Sequence, residues 1–212
     1  MIRSLSHLLV VVMLLPLIGC EKEQERMPNY WVDFATVITI QDQLWFQIDN
    51  SHNPVLPDQP IDEKLESGER VILNYTPVGD DLIHINHLRK VTSGDIGSIT
   101  PSIEIGTDPV TVQSIWLTEA YINLILEIEY HHTQHTFGLY RDLTDPNYVD
   151  LILSHAKNGD SPGYAVKVYL SVSLRNLSSE EMKMPFRVVI PTVDGSRVLY
   201  LDPPVSEENQ LS

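Results

Sequence analysis

The stretch YINLILEIEY, residues 121–130, decides the fold. Every second position is apolar: Ile122, Leu124, Leu126, Ile128 and Tyr130. The positions between them hold Asn123, Glu127 and Glu129, with Ile125 as the exception. An alternation sustained over ten positions predicts a β-strand with one face in the core and the other outside it.

Residues 164–174 show the same alternation. The predicted inward face holds Tyr164, Val166, Val168, Leu170, Val172 and Leu174, and the outward face holds Lys167, Ser171 and Ser173. Shorter runs bounded by turn residues cover 31–40, 44–49, 69–76, 82–91, 110–118, 136–140, 149–155, 186–191 and 197–201. No stretch combines a helical period with caps. The chain is therefore predicted to be all-β, and its seven later strands to form an antiparallel β-sandwich.

The strand runs fall into two groups. Residues 93–107 contain three glycines, Pro101 and several serines and threonines, and this composition predicts a linker between domains at 30–92 and 108–203. Residues 204–212 are predicted to be a flexible tail. A domain of about sixty residues buries only about 60% of its unfolded surface, so we expect the first domain to pack against the second.

The N-terminus has the features of an export signal. Arg3 is the only charge before Cys20, and residues 8–18 are an apolar run too short to span a bilayer, which needs roughly 20 residues. The small Gly19 before Cys20 fits a lipobox, with cleavage after residue 19 and lipid on the Cys20 thiol. The alternative is an ordinary signal peptide with an incidental cysteine. Residues 20–29 would be the tether, and their acidic start is either an outer-membrane surface signal or a charged spacer.

Composition excludes several kinds of chemistry. Cys20 is the only cysteine, so the chain cannot form an internal disulfide, and a lipidated Cys20 leaves no thiol for catalysis or metal binding. Without residues 1–19 the chain has 13 basic and 29 acidic residues, a net charge of −16. Such a surface repels nucleic acid, which we exclude as a partner. No nucleotide-binding loop occurs, and we expect no cofactor.

Three histidines stand close together in the sequence. His131, His132 and His135 are weak candidates for zinc ligands, because three imidazoles lie within five residues. The segment lies between two strand patterns and lacks the glutamate of a zinc-protease motif. We therefore predict a hairpin tip with solvated histidines and no metal. Asn158-Gly159-Asp160 is interpreted as a turn rather than a calcium site.

No catalytic residues are predicted. Glu127 and Glu129 share one strand face, whereas glycosidase carboxylates must flank a bond across a cleft. Trp45 alternates with Leu44 and Phe46 and is predicted to point outward. Trp45, Tyr121 and Tyr169 are the candidate binding aromatics, able to stack on sugars or dock a protein. The alternative, which we favour, is that they pack between the two domains.

A series of short motifs resembles the NigD-like lipoproteins of Gram-negative gut and oral bacteria. The motifs are the lipobox at Cys20, ATV (35–37), GERVILNY (68–75), DPV (108–110), IWL (115–117), YINL (121–124), LILSHA (151–156), GD (159–160) and GY (163–164). The chain departs from the family pattern in having SHAKN at 154–158, where RHNA is more frequent. The resemblance implies a small OB-type barrel followed by a β-sandwich, and it carries no established activity or catalytic residue.

We predict a lipid-anchored binding or accessory module of the cell envelope, on the outer membrane, without catalytic activity. Whether it faces the cell surface is left open by the sequence. It would contact the membrane through the lipid on Cys20, and its partner would be an envelope protein complex, a glycan or a peptide. One alternative is a bacteriocin-associated or immunity protein, since the acidic charge suits capture of a cationic peptide. The second is an envelope hydrolase using His131 and His135, or Glu127 and Glu129.

Overall fold

The computed structural model of the protein describes residues 29–204. The predicted signal peptide, Cys20, nearly all of the tether and residues 205–212 lie outside this range. Within it the protein is all-β, as the sequence predicted, and its only helical element is a 3₁₀ turn at Glu181–Lys183. Over the same residues, the structure contains no helix with the length and apolar character needed to cross a membrane.

The first domain is a nearly closed barrel of five strands. They are β1 (Trp31–Ile40), β2 (Gln43–Ile48), β3 (Leu56–Pro57), β4 (Arg70–Pro77) and β5 (Leu82–Lys90). β1 pairs with β2 and β4, β4 pairs with β5, and β3 runs parallel to β5. A bridge between Phe46 and Val55 joins β2 to the segment leading into β3. The ring order β1-β2-β3-β5-β4 is that of a five-stranded Greek-key barrel of OB type.

Local sequence explains how the barrel forms. Gln41 and Asp42 adopt positive φ of 51° and 61°, which is the twist a two-residue hairpin turn needs between β1 and β2. The alternating apolar residues of β2 and β4 then point inward, as the sequence predicted. The barrel core contains Ala35, Val37, Phe46, Ile48, Leu65, Val71, Leu73, Tyr75 and Ile83.

The second domain is a sandwich of two sheets. One sheet has the order β6 (Thr92–Asp95), β12 (Tyr164–Ser173), β9 (Tyr121–Tyr130), β8 (Thr111–Leu117). The other has the order β14 (Gly195–Leu201), β13 (Phe186–Thr192), β11 (Val149–Ala156), β10 (Thr136–Asp142), β7 (Gly97–Ser98). All seven strands predicted for this half are present, and their inward residues form one core. Tyr164 is the exception: it lies at the start of β12 and is 63% exposed.

Two features differ from the sequence prediction. Residues 93–98, predicted to belong to a linker, contribute β6 and β7, which pair in parallel with β12 and β10 and cover one edge of each sheet. β11 and β13 are also parallel. The sandwich is therefore mixed rather than purely antiparallel, because the chain crosses between the sheets instead of turning back by hairpins throughout.

The barrel covers part of the outer face of the β12-β9 sheet. Asn123 and Ser171, predicted to face outward, do so but are fully buried beneath the barrel. Phe34 of β1 packs edge-on against Trp116 at 5.1 Å between ring centroids, and Tyr169 lies 6.3 Å from Phe34. The two domains therefore share an aromatic and polar interface, as expected for a first domain too small to stand alone.

Arg70 is the centre of this interface and is only 2% exposed. Its guanidinium donates two hydrogen bonds of 2.7 Å to the Asp49 carboxylate, one of 2.9 Å to Thr36, one of 2.8 Å to Ser171 and one of 3.3 Å to Asn123. An arginine has five N–H donors, and all five are used here.

Two further contacts around this arginine cross between the domains. The guanidinium carbon of Arg70 lies 3.9 Å from the centroid of the Tyr121 ring, a cation–π contact. The side-chain amide of Asn123 donates 2.9 Å to the second oxygen of Asp49. Arg70 and Asp49 belong to the barrel, and Tyr121, Asn123 and Ser171 belong to the sandwich. The buried ion pair of the barrel therefore ties the domains together through its contacts with these sandwich residues. We call Arg70, Asp49, Thr36, Asn123, Ser171 and Tyr121 the Arg70 network.

We predict that Arg70→Ala lowers the free energy of unfolding by about 3–5 kcal/mol, because it leaves the Asp49 carboxylate buried without its partner. Arg70→Lys should lose much of the same stability, because a lysine cannot reproduce the fork of donors. Urea unfolding measures both effects.

The control is Arg175→Ala, which removes an ion pair to Asp95 in which the arginine side chain is 72% exposed. This variant should unfold like the natural protein. Equal losses in the Arg70→Ala and Arg175→Ala variants would show that the buried network contributes nothing particular.

Candidate functional site

Two cavities lie beside the Arg70 network and receive residues from both domains. One, of about 580 Å³, is lined by residues that include Gly68, Asp95, Arg175 and Met182. The other, of about 750 Å³, is lined by residues that include Ile38, Gln47, Asp49 and His52. The turn between β8 and β9 separates them, because Glu119, Ala120 and Tyr121 line both. We call the two cavities with this turn the interdomain groove.

The charges around this groove are mostly paired. Asp49 is bonded to Arg70, and Asp95 forms an ion pair with Arg175. Glu119 lies at the exposed tip of the turn and makes no ion pair or side-chain hydrogen bond within residues 29–204. The groove therefore presents one uncompensated carboxylate at its centre, which favours a ligand with a positive or hydrogen-bond-donating group.

The structure separates the three candidate binding aromatics. Tyr121 lines the groove, lies under Arg70, and its hydroxyl accepts a hydrogen bond of 3.4 Å from Thr36. Tyr169 is half-buried in the domain interface, with the Arg89 guanidinium 4.8 Å from its ring centroid. Trp45 makes no ring contact with either tyrosine within residues 29–204, and its indole N–H is buried without a hydrogen-bond partner there. Tyr121 and Tyr169 therefore pack between the domains, as the alternative favoured from the sequence expected for all three aromatics; for Trp45 this stays a prediction.

The histidine segment follows β9 and forms a tight loop around one carboxylate. Asp160 accepts hydrogen bonds from the backbone N–H groups of His131, His132 and Thr133, at 2.8, 3.2 and 3.1 Å. Burial alone would raise the pKa of Asp160, but these bonds and one from His135 outweigh it and hold the pKa well below its usual range. Asp160 is therefore an ionised anchor for the loop.

Asp160 reaches the loop because of a turn that the sequence predicted. Asn158 and Gly159 have φ of 54° and 79°, and the Asp160 N–H donates 3.0 Å to the Lys157 carbonyl. Left-handed φ at two successive positions suits asparagine followed by glycine. The Asn158-Gly159-Asp160 segment is thus a turn, and its aspartate also organises the neighbouring loop.

The three histidines have two different environments. His131 and His132 are exposed, as predicted, with their Nδ1 atoms in direct contact. The prediction of a solvated side chain is wrong for His135, which is 7% exposed. His135 turns inward because its Nε2 lies 3.2 Å from an Asp160 oxygen and its Nδ1 lies 2.9 Å from the Nε2 of His155.

His155 was not predicted as a site residue from the sequence. It completes a chain of three hydrogen bonds that runs from Asp160 through His135 and His155 to Asp108. Its Nδ1 donates 2.9 Å to the backbone carbonyl of Asp108, and its ring stacks on Phe137 at 4.7 Å. The two groups at the ends of this series of hydrogen bonds, the Asp108 carbonyl and the Asp160 carboxylate, can only accept hydrogen bonds. Three bonds therefore need three ring protons, whereas two neutral imidazoles carry two.

The surroundings of His155 disfavour its protonation. Burial lowers the pKa of His155, and the neighbouring His135 lowers it further, although the hydrogen bond to Asp108 acts in the opposite direction. We therefore treat His155 as neutral. The only sequence signal for this arrangement was that residues 151–156 and 159–160 both belong to the motifs of the family resemblance.

The glutamates do not join the histidines. Glu127 and Glu129 line a separate cavity of about 320 Å³ together with Lys157, and none of the three loop histidines lines it. The two carboxylates lie on the same strand and do not face each other across this cavity. The arrangement that acid–base cleavage of a glycoside needs is not formed by these two residues.

Comparison with known proteins identifies the second domain. Residues 97–199 match the family model described as the NigD-like C-terminal beta sandwich domain. The second domain is that of the NigD-like family. No protein with a curated description matches the chain.

Solved structures share the fold of this chain. A NigD-like immunity protein from Bacteroides caccae has a TM-score of 0.63 and 26% identity, covering 80% of this chain and 91% of its own. A Parabacteroides distasonis protein provisionally named toxin-related has a TM-score of 0.75 and 18% identity, covering 86% and 97%. A Bacteroides fragilis protein provisionally named a lipoprotein has a TM-score of 0.65 and 12% identity, covering 84% and 100%. Each of these alignments covers more of the chain than the sandwich domain contains. The common fold therefore includes both domains.

We predict that protonation of His155 makes the folded protein less stable in mild acid. The pKa of His155 is below 6.5 in the folded protein, so between about pH 6.5 and the folded pKa the unfolded chain holds a proton that the folded chain lacks. The free energy of unfolding should therefore fall as the pH drops below about 6.5, by at most about 1.4 kcal/mol per pH unit from this group.

Urea unfolding at a series of pH values from 7.5 to 5 tests this dependence. His155→Gln removes the titrating ring and should flatten the slope, even though the variant is less stable at pH 7.5. His87→Gln alters an exposed histidine of β5 and should keep the slope of the natural protein. The explanation is wrong if the natural protein and the His155→Gln variant have the same slope.

Proposed function

We propose that this NigD-like chain is a lipid-anchored, non-enzymatic binding protein of the bacterial cell envelope, and that it holds its ligand in the interdomain groove. The observation that carries the proposal is the groove itself: two cavities that meet at the β8–β9 turn and are lined by both domains. A buried network fixes the walls on either side of this turn. Ligand sites occur preferentially at domain interfaces of this kind.

The N-terminal sequence supports the proposed location. A short apolar segment ends at Gly19-Cys20, and an acidic stretch of about ten residues separates Cys20 from β1. Such a tether would place the barrel close to a membrane and leave the groove accessible to molecules in the envelope. The Bacteroides fragilis protein of similar fold, provisionally named a lipoprotein, supports the same location. We propose the outer membrane as the site of anchoring.

A binding role fits the chemistry better than an enzymatic one. Asp160 accepts five hydrogen bonds, which hold its loop in place. His135 and His155 are buried and bonded to each other, and the two glutamates face a different cavity. The described part of the chain thus offers no nucleophile held by a base beside an open pocket.

A second candidate function is protection against a peptide toxin. The Bacteroides caccae protein of similar fold is named an immunity protein, and the present chain carries a net charge of −15. Glu119, the uncompensated carboxylate of the groove, would attract a cationic peptide. Under this candidate, a strain lacking the protein becomes sensitive to a cationic bacteriocin of its neighbours, and the Glu119→Gln variant restores protection less well than the natural protein.

Site-specific photo-crosslinking in the living bacterium tests the binding proposal. Benzoylphenylalanine placed at Ala120, the exposed residue shared by both cavities, should give an adduct of defined mass after illumination. The same group at Leu143, which is 78% exposed and lines neither cavity, is the matched control and should give none. Glycan arrays and peptide libraries then identify the class of ligand.

Two outcomes contradict the proposal. The first is the absence of any adduct from position 120, or identical adducts from positions 120 and 143. The second concerns the lipid anchor. The proposal expects the natural chain to incorporate labelled palmitate and to sediment with membranes, and it expects the Cys20→Ser variant to do neither. A Cys20→Ser chain that keeps the label would place the lipid elsewhere.

A further inference from the structure

The exposed ends of the histidine loop bring three metal-binding atoms together. One ring nitrogen each of His131 and His132 and a carboxylate oxygen of Asp160 all lie within 4.8 Å of one another. The distance from the His132 Nδ1 to Asp160 Oδ1 is 3.5 Å. In a tetrahedral zinc site with bonds of about 2.0–2.1 Å, ligand atoms are roughly 3.3–3.4 Å apart. This pair therefore already has nearly the spacing of two zinc ligands.

The two exposed histidines present the same ring nitrogen toward one point. The Nδ1 atoms of His131 and His132 face each other directly, and their rings are nearly perpendicular, at 84°. In two neutral imidazoles one Nδ1–H can donate to the other Nδ1, so the contact does not itself require an ion. A metal ion between them accepts both lone pairs at once, after a small separation of the exposed rings.

The third ligand is held in place by the protein. The Asp160 carboxylate is 1% exposed and is fixed by backbone N–H groups of the loop, so the position of its oxygen relative to His131 and His132 is set before an ion arrives. Its Oδ2 is bonded to His135, and His135 to His155. An outer layer of hydrogen bonds that orients a ligating carboxylate is characteristic of built metal sites.

We propose that His131, His132 and Asp160 bind one zinc ion, with the fourth position open to water or to a side chain of a partner. Two imidazole nitrogens and one carboxylate oxygen suit zinc, and the nitrogen ligands disfavour calcium and magnesium, which prefer oxygen. The three hydrogen bonds to Asp160 Oδ1 are 3.1–3.2 Å long, so the ion competes with weak bonds there. The ion would join the β9–β10 loop to the Asn158–Asp160 turn.

Isothermal titration calorimetry of the purified chain, prepared without a polyhistidine tag, tests the site with zinc chloride. The natural protein should bind one zinc ion, and magnesium chloride should give no binding heat. His131→Ala and His132→Ala should each weaken zinc binding by at least about tenfold, a loss expected even for partners outside the first coordination shell. His87→Ala, an exposed histidine of the barrel, is the matched control and should leave zinc binding unchanged.

Folding does not confuse the result, because His131 and His132 are exposed and their side chains can be removed without opening the core. The thermal midpoints of the variants in EDTA should equal that of the natural protein, and zinc should raise the midpoint of the natural protein and of His87→Ala only. The proposal is overturned by a natural protein that binds no zinc, or by zinc binding that survives unchanged in both the His131→Ala and the His132→Ala variants.

Discussion

A buried arginine holds this protein together. A guanidinium placed between a barrel and a sheet must find a partner for every N–H group, since an unpaired buried charge costs several kcal/mol. Arg70 meets this condition with one carboxylate from its own domain and with hydroxyl and amide groups from both domains. The requirement fixes how the domains sit, because a shift of either would leave a donor or the Asp49 carboxylate unpaired. The groove beside Tyr121 keeps its shape for the same reason.

The strands and the inward faces could be predicted from the sequence because each depends on a local alternation. β1 and β9 have the predicted bounds, and the apolar residues of β9 and β12 point inward, apart from the exposed Tyr164. The parallel partners β6 and β7 were missed, since they are only four and two residues long and their pairing depends on distant strands. Short strands of this kind carry too few residues for a period to be recognised.

The interface and the histidine chain could not be predicted, because they join residues far apart in the sequence. Arg70 and Ser171 are 101 positions apart, and His135 and His155 are 20 apart. A signal for the interface was nevertheless present. The outer face of β9 is uncharged at Asn123 and carries its charges at Glu127 and Glu129, so one half of that face is suited to being covered and the other to water. The histidine loop offered no comparable signal. The spacing of the three histidines in the sequence is the same whether His135 points inward or outward.

The central claim is that the Arg70 network makes the barrel and the sandwich one cooperative unit. Differential scanning calorimetry of the natural chain tests it most directly, since a protein whose domains unfold separately departs from two-state behaviour. The account predicts a single transition whose calorimetric enthalpy equals the van't Hoff enthalpy. Two resolved transitions, or a calorimetric enthalpy well above the van't Hoff value, would show that the domains unfold independently and would contradict the account.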